Sequence, residues 1–263
     1  MKKYLLTYKM GIQKALTYRS VEIIWIISAF LTPLLFMTLW SRNAQSGVSS
    51  MNLSEIVTYY FLITLFSQLL SPHIEWDIAR DINEGSLSNY LLKPYKYFIH
   101  QIIYELAWKT VTQIFNLIPI VIFAVIFRQY ISIPQITISK IAFILMLCAL
   151  SYLLTFLIQY FLGLLSFWMT QIRSFFRIYY MSTGFFSGRY FPLILMPALL
   201  IKISKYMPFQ YFWYFPTMMI LDKENIINKY SSLLIIFIWI IIFIFIIHFT
   251  WKKGVRDYSS YGG

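Results

Sequence analysis

The sequence predicts an all-α integral membrane protein, and two observations support this prediction. Hydrophobic residues make up 59% and aromatic residues 20% of the 263 residues, whereas only 12% are charged. Soluble domains usually contain about twice as many charged residues. The apolar residues also form runs of the length that a helix needs to cross a bilayer, about 20 residues. We therefore interpret residues 1–263 as a single transmembrane domain.

The first 20 residues predict a helix that lies on the membrane surface. Leu5, Tyr8, Ile12 and Leu16 recur at helical spacing, and most of the lysines fall on other faces. This pattern is typical of an interfacial amphipathic helix. A solvated basic lead-in is the alternative. No cleavage site follows the first long apolar run, so no signal peptide is expected.

Six segments are expected to cross the membrane. Five are long and clearly apolar, and the sixth is weaker because Arg177 and several Ser, Thr and Gly residues interrupt it. The expected spans are 21–40, 55–72, 106–127, 141–167, 174–191 and 233–250.

The distribution of basic residues predicts that both termini are cytoplasmic. An even number of spans places the termini on one side, and the loops on that side carry fourteen of the 22 Lys and Arg residues. The formal net charge of +12 is explained by this topology and by anionic lipid. The basic residues are scattered between apolar runs, so no nucleic acid partner is expected.

Prolines interrupt an apolar segment before the last span. Residues 192–216 contain four of the nine prolines, and an interior proline breaks a membrane helix. Irregular backbone at membrane depth must be covered by protein or line a cavity. We expect a pair of short re-entrant helices on the external side, with an aromatic-rich loop resting on the headgroups as the alternative. The four prolines of this expected lid are Pro192, Pro197, Pro208 and Pro216.

The sequence has no motif for nucleotide binding or for catalysis. It contains no G-x-x-x-x-G-K-[ST] loop, H-E-x-x-H or G-x-S-x-G motif, and its one cysteine, Cys148, lies in an apolar run. The middles of the five clear spans are nearly free of ionisable groups, which proton or ion relays require. We expect no catalytic residue, metal site or cofactor in this chain. A membrane-embedded enzyme would have only Glu22, His100 and Glu105 as scattered candidates.

The expected cytoplasmic loop 73–97 is the strongest candidate for a docking surface. It carries four of the ten acidic residues, and Trp76, Ile78 and Ile82 supply an apolar edge for a short helix. Gly85 is expected to end this helix, and Pro94 to stop any helix through Tyr90–Lys93. A solvated connector whose acids pair with its own bases is the alternative.

The order of these features resembles the permease subunits of bacterial type-2 ATP-binding-cassette (ABC) transporters. The resemblance rests on "EGSLSNYLLKP", on "FSGRYFPLILMP" with the later "MPF" and "FP", and on the C-terminal "WKKGVRDYSSYGG". It covers essentially the whole chain. The tail resembles the branch in which two related permeases often share one ATPase.

The resemblance implies an exporter subunit in a bacterial cytoplasmic membrane. Its partners would be two copies of an ATP-binding subunit, which hold ATP and Mg²⁺, and a second, identical or related permease. The loop 73–97 would contain the coupling helix. The residues expected to contact the ATPase are Trp76, Asp77, Arg80, Asp81, Glu84, Gly85, Leu91, Leu92, Lys93 and Pro94.

A substrate cavity between two such permeases would be lined by aromatic and small polar side chains without a charge relay. It would suit an amphipathic or hydrophobic cargo, as in multidrug, lipid or peptide efflux. Gly184 and Gly188 have the small-xxx-small spacing that lets helices approach closely, so they could pack against the second permease. Internal packing is the alternative for these two glycines. An ATP-independent channel or scaffold is the alternative to the transporter as a whole.

Overall fold

The computed structural model describes residues 2–17, 19–46, 51–93, 96–223 and 226–258, apart from the side chains at 2, 19–23, 25, 29 and 226–229. Within these ranges the chain forms eleven α-helices. They are α1 (Lys2–Thr17), α2 (Arg19–Gln45), α3 (Leu53–Leu70), α4 (Glu75–Asn83), α5 (Leu87–Leu91), α6 (Tyr97–Ile126), α7 (Ile138–Leu164), α8 (Arg173–Phe186), α9 (Ala198–Tyr206), α10 (Tyr214–Ile220) and α11 (Ile226–Asp257).

The structure confirms an all-helical chain with membrane-spanning helices. In the part of the chain that it describes, four helical segments are long and apolar enough to cross a bilayer: Leu53–Asn83, Tyr97–Ile126, Ile138–Phe167 and Tyr230–Asp257. With 27 residues, α2 also has the required length, although several of its side chains lie outside the described set. The count of six spans stays a prediction.

The weakest of the expected spans is not one continuous helix. The segment 174–191 contains α8, which ends at Phe186 and has 14 residues. At 1.5 Å per residue this helix is about 21 Å long, which is shorter than the hydrocarbon core of a bilayer. Residues 187–191 continue as turns, because the backbone of this stretch is bound to neighbouring helices.

The bundle is organised around α3. Its side chains at Ile56, Tyr59, Tyr60 and Ile63 are fully buried, and α3 packs against α2, α6, α7 and α10. By contrast, α6 and α11 expose large aliphatic and aromatic side chains along their outer faces, as helices that face lipid do.

The N-terminal helix packs on α6 through small side chains. Thr7, Gly11 and Ala15 are buried at spacing i, i+4, i+8, and a Cβ on Gly11 would lie 2.7 Å from the Cβ of Ala107. The opposite face of α1 exposes apolar side chains, among them Met10 at 65%. This outer face suits the interfacial position that the sequence predicts.

Candidate functional site

The loop 73–97 folds into two short helices at one end of the bundle. The first of them, α4, has Glu75 and Asp77 in its first turn, where acidic side chains stabilise a helix by interacting with its dipole. It ends at Asn83, and Gly85 follows with φ of +78°. Glycine adopts this left-handed conformation without a steric penalty, so Gly85 ends α4 as the sequence predicts. The second helix, α5, ends at Leu91, and Pro94 lies outside the described residues.

The inner face of α4 is packed tightly against the end of α7. Glu75, Ile78, Ala79, Asp81 and Ile82 are buried. Gly163 of α7 makes the close approach possible, because a Cβ at this position would lie 2.7 Å from the Cβ of Ile78. Helices α4 and α7 are therefore in direct contact at this end of the bundle.

The structure corrects the role of Asp81. Its side chain is buried, and its carboxylate accepts hydrogen bonds from the Tyr97 hydroxyl at 2.7 Å, Ser86 Oγ at 3.0 Å and Gln101 Nε2 at 3.3 Å. A carboxylate with three bonds inside the chain does not face a partner. Asp81 instead holds α4 to the start of α6.

The outer face of α4 presents the other expected contact residues. Trp76 is 43% exposed, and Arg80 and Glu84 are exposed. Asp77 is half-buried, because its carboxylate pairs with Arg80 and lies 3.7 Å from Lys14 Nζ. Most of its charge is thus balanced by its own chain.

Apolar side chains are also exposed at the end of α5. Leu91 and Leu92 are 41% and 86% exposed, and the Lys93 amine lies over the Tyr90 ring, 5.2 Å from its centroid. We call the set Trp76, Arg80, Glu84, Leu91, Leu92 and Lys93 the docking surface.

At the other end of the bundle, the prolines mark where short helices begin. Pro192 precedes the 3₁₀ turn Leu193–Leu195, and Pro197 precedes α9. Pro208 precedes the 3₁₀ turn Phe209–Tyr211, and Pro216 is the third residue of α10. A proline at a helix start costs little, because the first N–H groups of a helix have no partner within it.

The segment that precedes these helices is bound to the centre of the bundle. The Tyr59 hydroxyl donates to the Gly188 carbonyl at 2.7 Å, and the Tyr60 hydroxyl donates to the Tyr190 carbonyl at 3.0 Å. Trp40 Nε1 also donates to the Tyr190 carbonyl, at 3.3 Å. These three bonds fix the entry to the proline-rich segment against α2 and α3.

The two glycines expected at a dimer contact are used inside the chain. A Cβ on Gly184 would lie 2.3 Å from the Tyr190 ring, and a Cβ on Gly188 would lie 2.3 Å from the Tyr59 hydroxyl. Gly188 also has φ of +84° and lies beyond the end of α8. The two residues therefore do not form a helix-packing motif for a second permease. Internal packing, the alternative left open by the sequence, describes them.

Two ion pairs that the sequence did not indicate hold the turn after α10. Lys223 Nζ lies 2.6 Å from Glu55, at the start of α3, and the Nζ atom of Lys140, at the start of α7, lies 2.7 Å from Asp222. Asp222 has φ of +56°, a conformation that non-glycine residues seldom adopt. The partners are far apart in the sequence, so no local pattern predicts them.

Two of the residues considered for membrane-embedded catalysis have described side chains, and these two do not converge. His100 and Glu105 both belong to α6, but five residues place them about 140° apart around the helix. The His100 ring stacks between tyrosines, 6.1 Å from the ring centroid of Tyr104. The side chain of Glu22 lies outside the described residues.

Comparison with known proteins supports the transporter interpretation. The model of the ABC-2 family transporter protein matches residues 24–262, nearly the whole chain. No curated protein matches the chain. The family match agrees with the resemblance seen in the sequence motifs, and members of this family are membrane components of transporters. The chain therefore belongs to the ABC-2 transporter family and is a type-2 ABC permease.

Proposed function

We propose that the chain is the membrane-spanning subunit of an ATP-driven exporter in a bacterial cytoplasmic membrane, with both termini in the cytoplasm. Two of these permeases, identical or related, would form the translocation pathway, and two separate ATP-binding subunits would supply the energy. ATP and Mg²⁺ would be held by those subunits. The cargo would be an amphipathic or hydrophobic solute.

The docking surface supports this proposal most directly. It lies at one end of the bundle, partly on α4 and partly at the end of α5. The other face of α4 is buried against α7 and is hydrogen-bonded to the start of α6. Leu92 is 86% exposed and lies outside every expected span. Exposed aromatic and aliphatic side chains beside charged ones are typical of a protein interface.

The packing of α4 explains how a partner could perform work on the bundle. When the ATP-binding subunits close on nucleotide, α4 would move with them as a rigid body. Because Ile78 packs on Gly163 and Asp81 is bound to Tyr97, that movement reaches α7 and α6 directly. Rocking of the two permease bundles against each other would then give alternating access.

A pair of equally exposed residues at opposite ends of the bundle tests the docking site. Leu92 and Ile138 are both 86% exposed, and the length of α6, about 45 Å for 30 residues, separates the two ends. Leu92→Lys should reduce co-purification of the ATP-binding subunit, whereas Ile138→Lys should leave it unchanged. Equal retention of the subunit by both variants would contradict the proposed site.

Trp76→Ala provides a second measure of the same contact. Truncation of a buried aromatic anchor at an interface costs on the order of 2 kcal/mol, which is about a 30-fold weaker Kd. Trp76 also contacts Phe176 within the chain, so the variant must first be recovered from membranes in normal amount. An unchanged Kd in such a preparation would remove Trp76 from the docking surface.

A further inference from the structure

The buried face of α4 includes a hydrogen bond that links it to α8. Glu75 is fully buried, and the Tyr180 hydroxyl donates to its Oε1 atom. The other carboxylate oxygen of Glu75 has no hydrogen-bond partner among the described residues. Tyr180 therefore provides the side-chain hydrogen bond that compensates for the burial of Glu75.

Apolar contacts beside this bond hold the same two helices together. The rings of Trp76 and Phe176 meet edge to face, with centroids 4.8 Å apart. Ala79, Ile172 and Phe176 form a small buried cluster of their own, separate from the main core. Residues 176–180 of α8 are thus attached to α4 by one hydrogen bond and one ring contact.

The outer end of α8, at Phe186, leads to residues 192–216, which we call the external segment because they are expected on the outer side of the membrane. Two residues after the helix, the Gly188 carbonyl accepts its bond from Tyr59, and the Tyr190 N–H donates to the Gly184 carbonyl at 3.1 Å. The four prolines and α9 follow directly. A rigid helix of 14 residues therefore connects the docking end of the bundle to the proline-rich segment.

We propose that α8 transmits the movement of α4 to the external segment, and that Tyr180 is the positioning residue that ties the two helices together through Glu75. This inference rests on the proposed function, because it requires α4 to be moved by an ATP-binding subunit. The ring contact of Trp76 with Phe176 sets the distance between the helices. The hydrogen bond makes α8 follow α4 when α4 moves.

The test measures the external segment while the nucleotide state is changed at the other end. Leu199 on α9 is 68% exposed, so Leu199→Cys in a Cys148→Ala background reports on this segment. Its rate of labelling by a membrane-impermeant maleimide is measured in vesicles that contain the permease with its co-purified ATPase. The two conditions are no nucleotide and ATP with vanadate.

The variant Tyr180→Phe removes only the hydroxyl that bonds to Glu75. Loss of this bond removes the side-chain donor from a buried carboxyl, so the nucleotide-dependent difference in labelling rate should fall about tenfold. Tyr179→Phe is the matched control, because the Tyr179 hydroxyl accepts a 3.5 Å bond from Gln159 and does not bond to α4. Glu75→Gln keeps an acceptor oxygen for Tyr180 and should retain the difference.

A full labelling difference in Tyr180→Phe would overturn the inference, and so would an equal loss in Tyr179→Phe. If Tyr180→Phe is not recovered from membranes, Phe176→Leu weakens the link between the same helices and should give the same loss. Absence of the ATPase from the wild-type preparation would overturn the proposed function as well. A co-purified ATPase with nucleotide-independent labelling would overturn only the role of α8.

Discussion

Removal of the Asp81 carboxylate should destabilise the protein, although Asp81 lies on the helix whose outer face we propose as part of the docking surface. The side chain is 8% exposed and accepts three hydrogen bonds from Tyr97, Ser86 and Gln101. In Asp81→Ala the Tyr97 hydroxyl and the Gln101 amide lose an acceptor inside the protein. Each such loss costs roughly 1–3 kcal/mol, so a total of about 3 kcal/mol is expected.

Asp77 provides the comparison, since it lies on the same helix and is 28% exposed. Its contacts with Arg80 and Lys14 are near the surface, where an ion pair contributes roughly 0.2–1 kcal/mol. Asp77→Ala should therefore have a small effect on stability. Asp81→Asn keeps one acceptor oxygen and should fall between the two alanine variants.

The assay is thermal unfolding of the purified protein in detergent, followed by tryptophan fluorescence. A loss of about 3 kcal/mol should lower the Tm by roughly 10 °C in a chain of this size. Equal Tm values for Asp81→Ala and Asp77→Ala would refute the reasoning. An unchanged Tm for Asp81→Ala together with loss of the ATPase would mean that Asp81 contacts the ATPase, as the sequence analysis expects.

Three further predictions concern the packing of α4, the external segment and the topology. Gly163→Ala should displace α4 by forcing Ile78 away, and should lower ATPase activity of the complex while both subunits still co-purify; unchanged activity would contradict the packing. Replacement of Pro197 and Pro208 by Ala should reduce transport without loss of the ATPase, because helix could extend through the segment; loss of assembly would mean a folding role. A cysteine at Ser46 should react with an impermeant reagent outside intact cells, whereas Ser260→Cys, beyond the described residues, should not; external labelling of Ser260→Cys would reverse the orientation.

The sequence by itself determined the features that depend on local chemistry. Its apolar runs predict membrane helices because the bilayer core excludes polar groups, and α6 and α7 occur where these runs lie. Gly85 predicts the end of a helix because glycine allows a left-handed backbone. The prolines at 192, 197 and 208 predict where helices begin, because proline fixes φ and lacks an N–H group. The family motifs predicted the transporter class, which the match over residues 24–262 confirms.

Only the tertiary structure decided how individual side chains in those segments are used. Asp77 and Asp81 are four residues apart on one helix, yet one pairs near the surface and the other is buried among Tyr97, Ser86 and Gln101. Gly184 and Gly188 fit a helix-contact motif, but tyrosines of the same chain fill the space beside them. The bond between Glu75 and Tyr180 joins residues 105 positions apart. A local pattern specifies which residues can form a helix. The neighbours of each side chain, by contrast, depend on how distant segments pack. This packing therefore decides whether a charged side chain is paired inside the chain or is available to a partner.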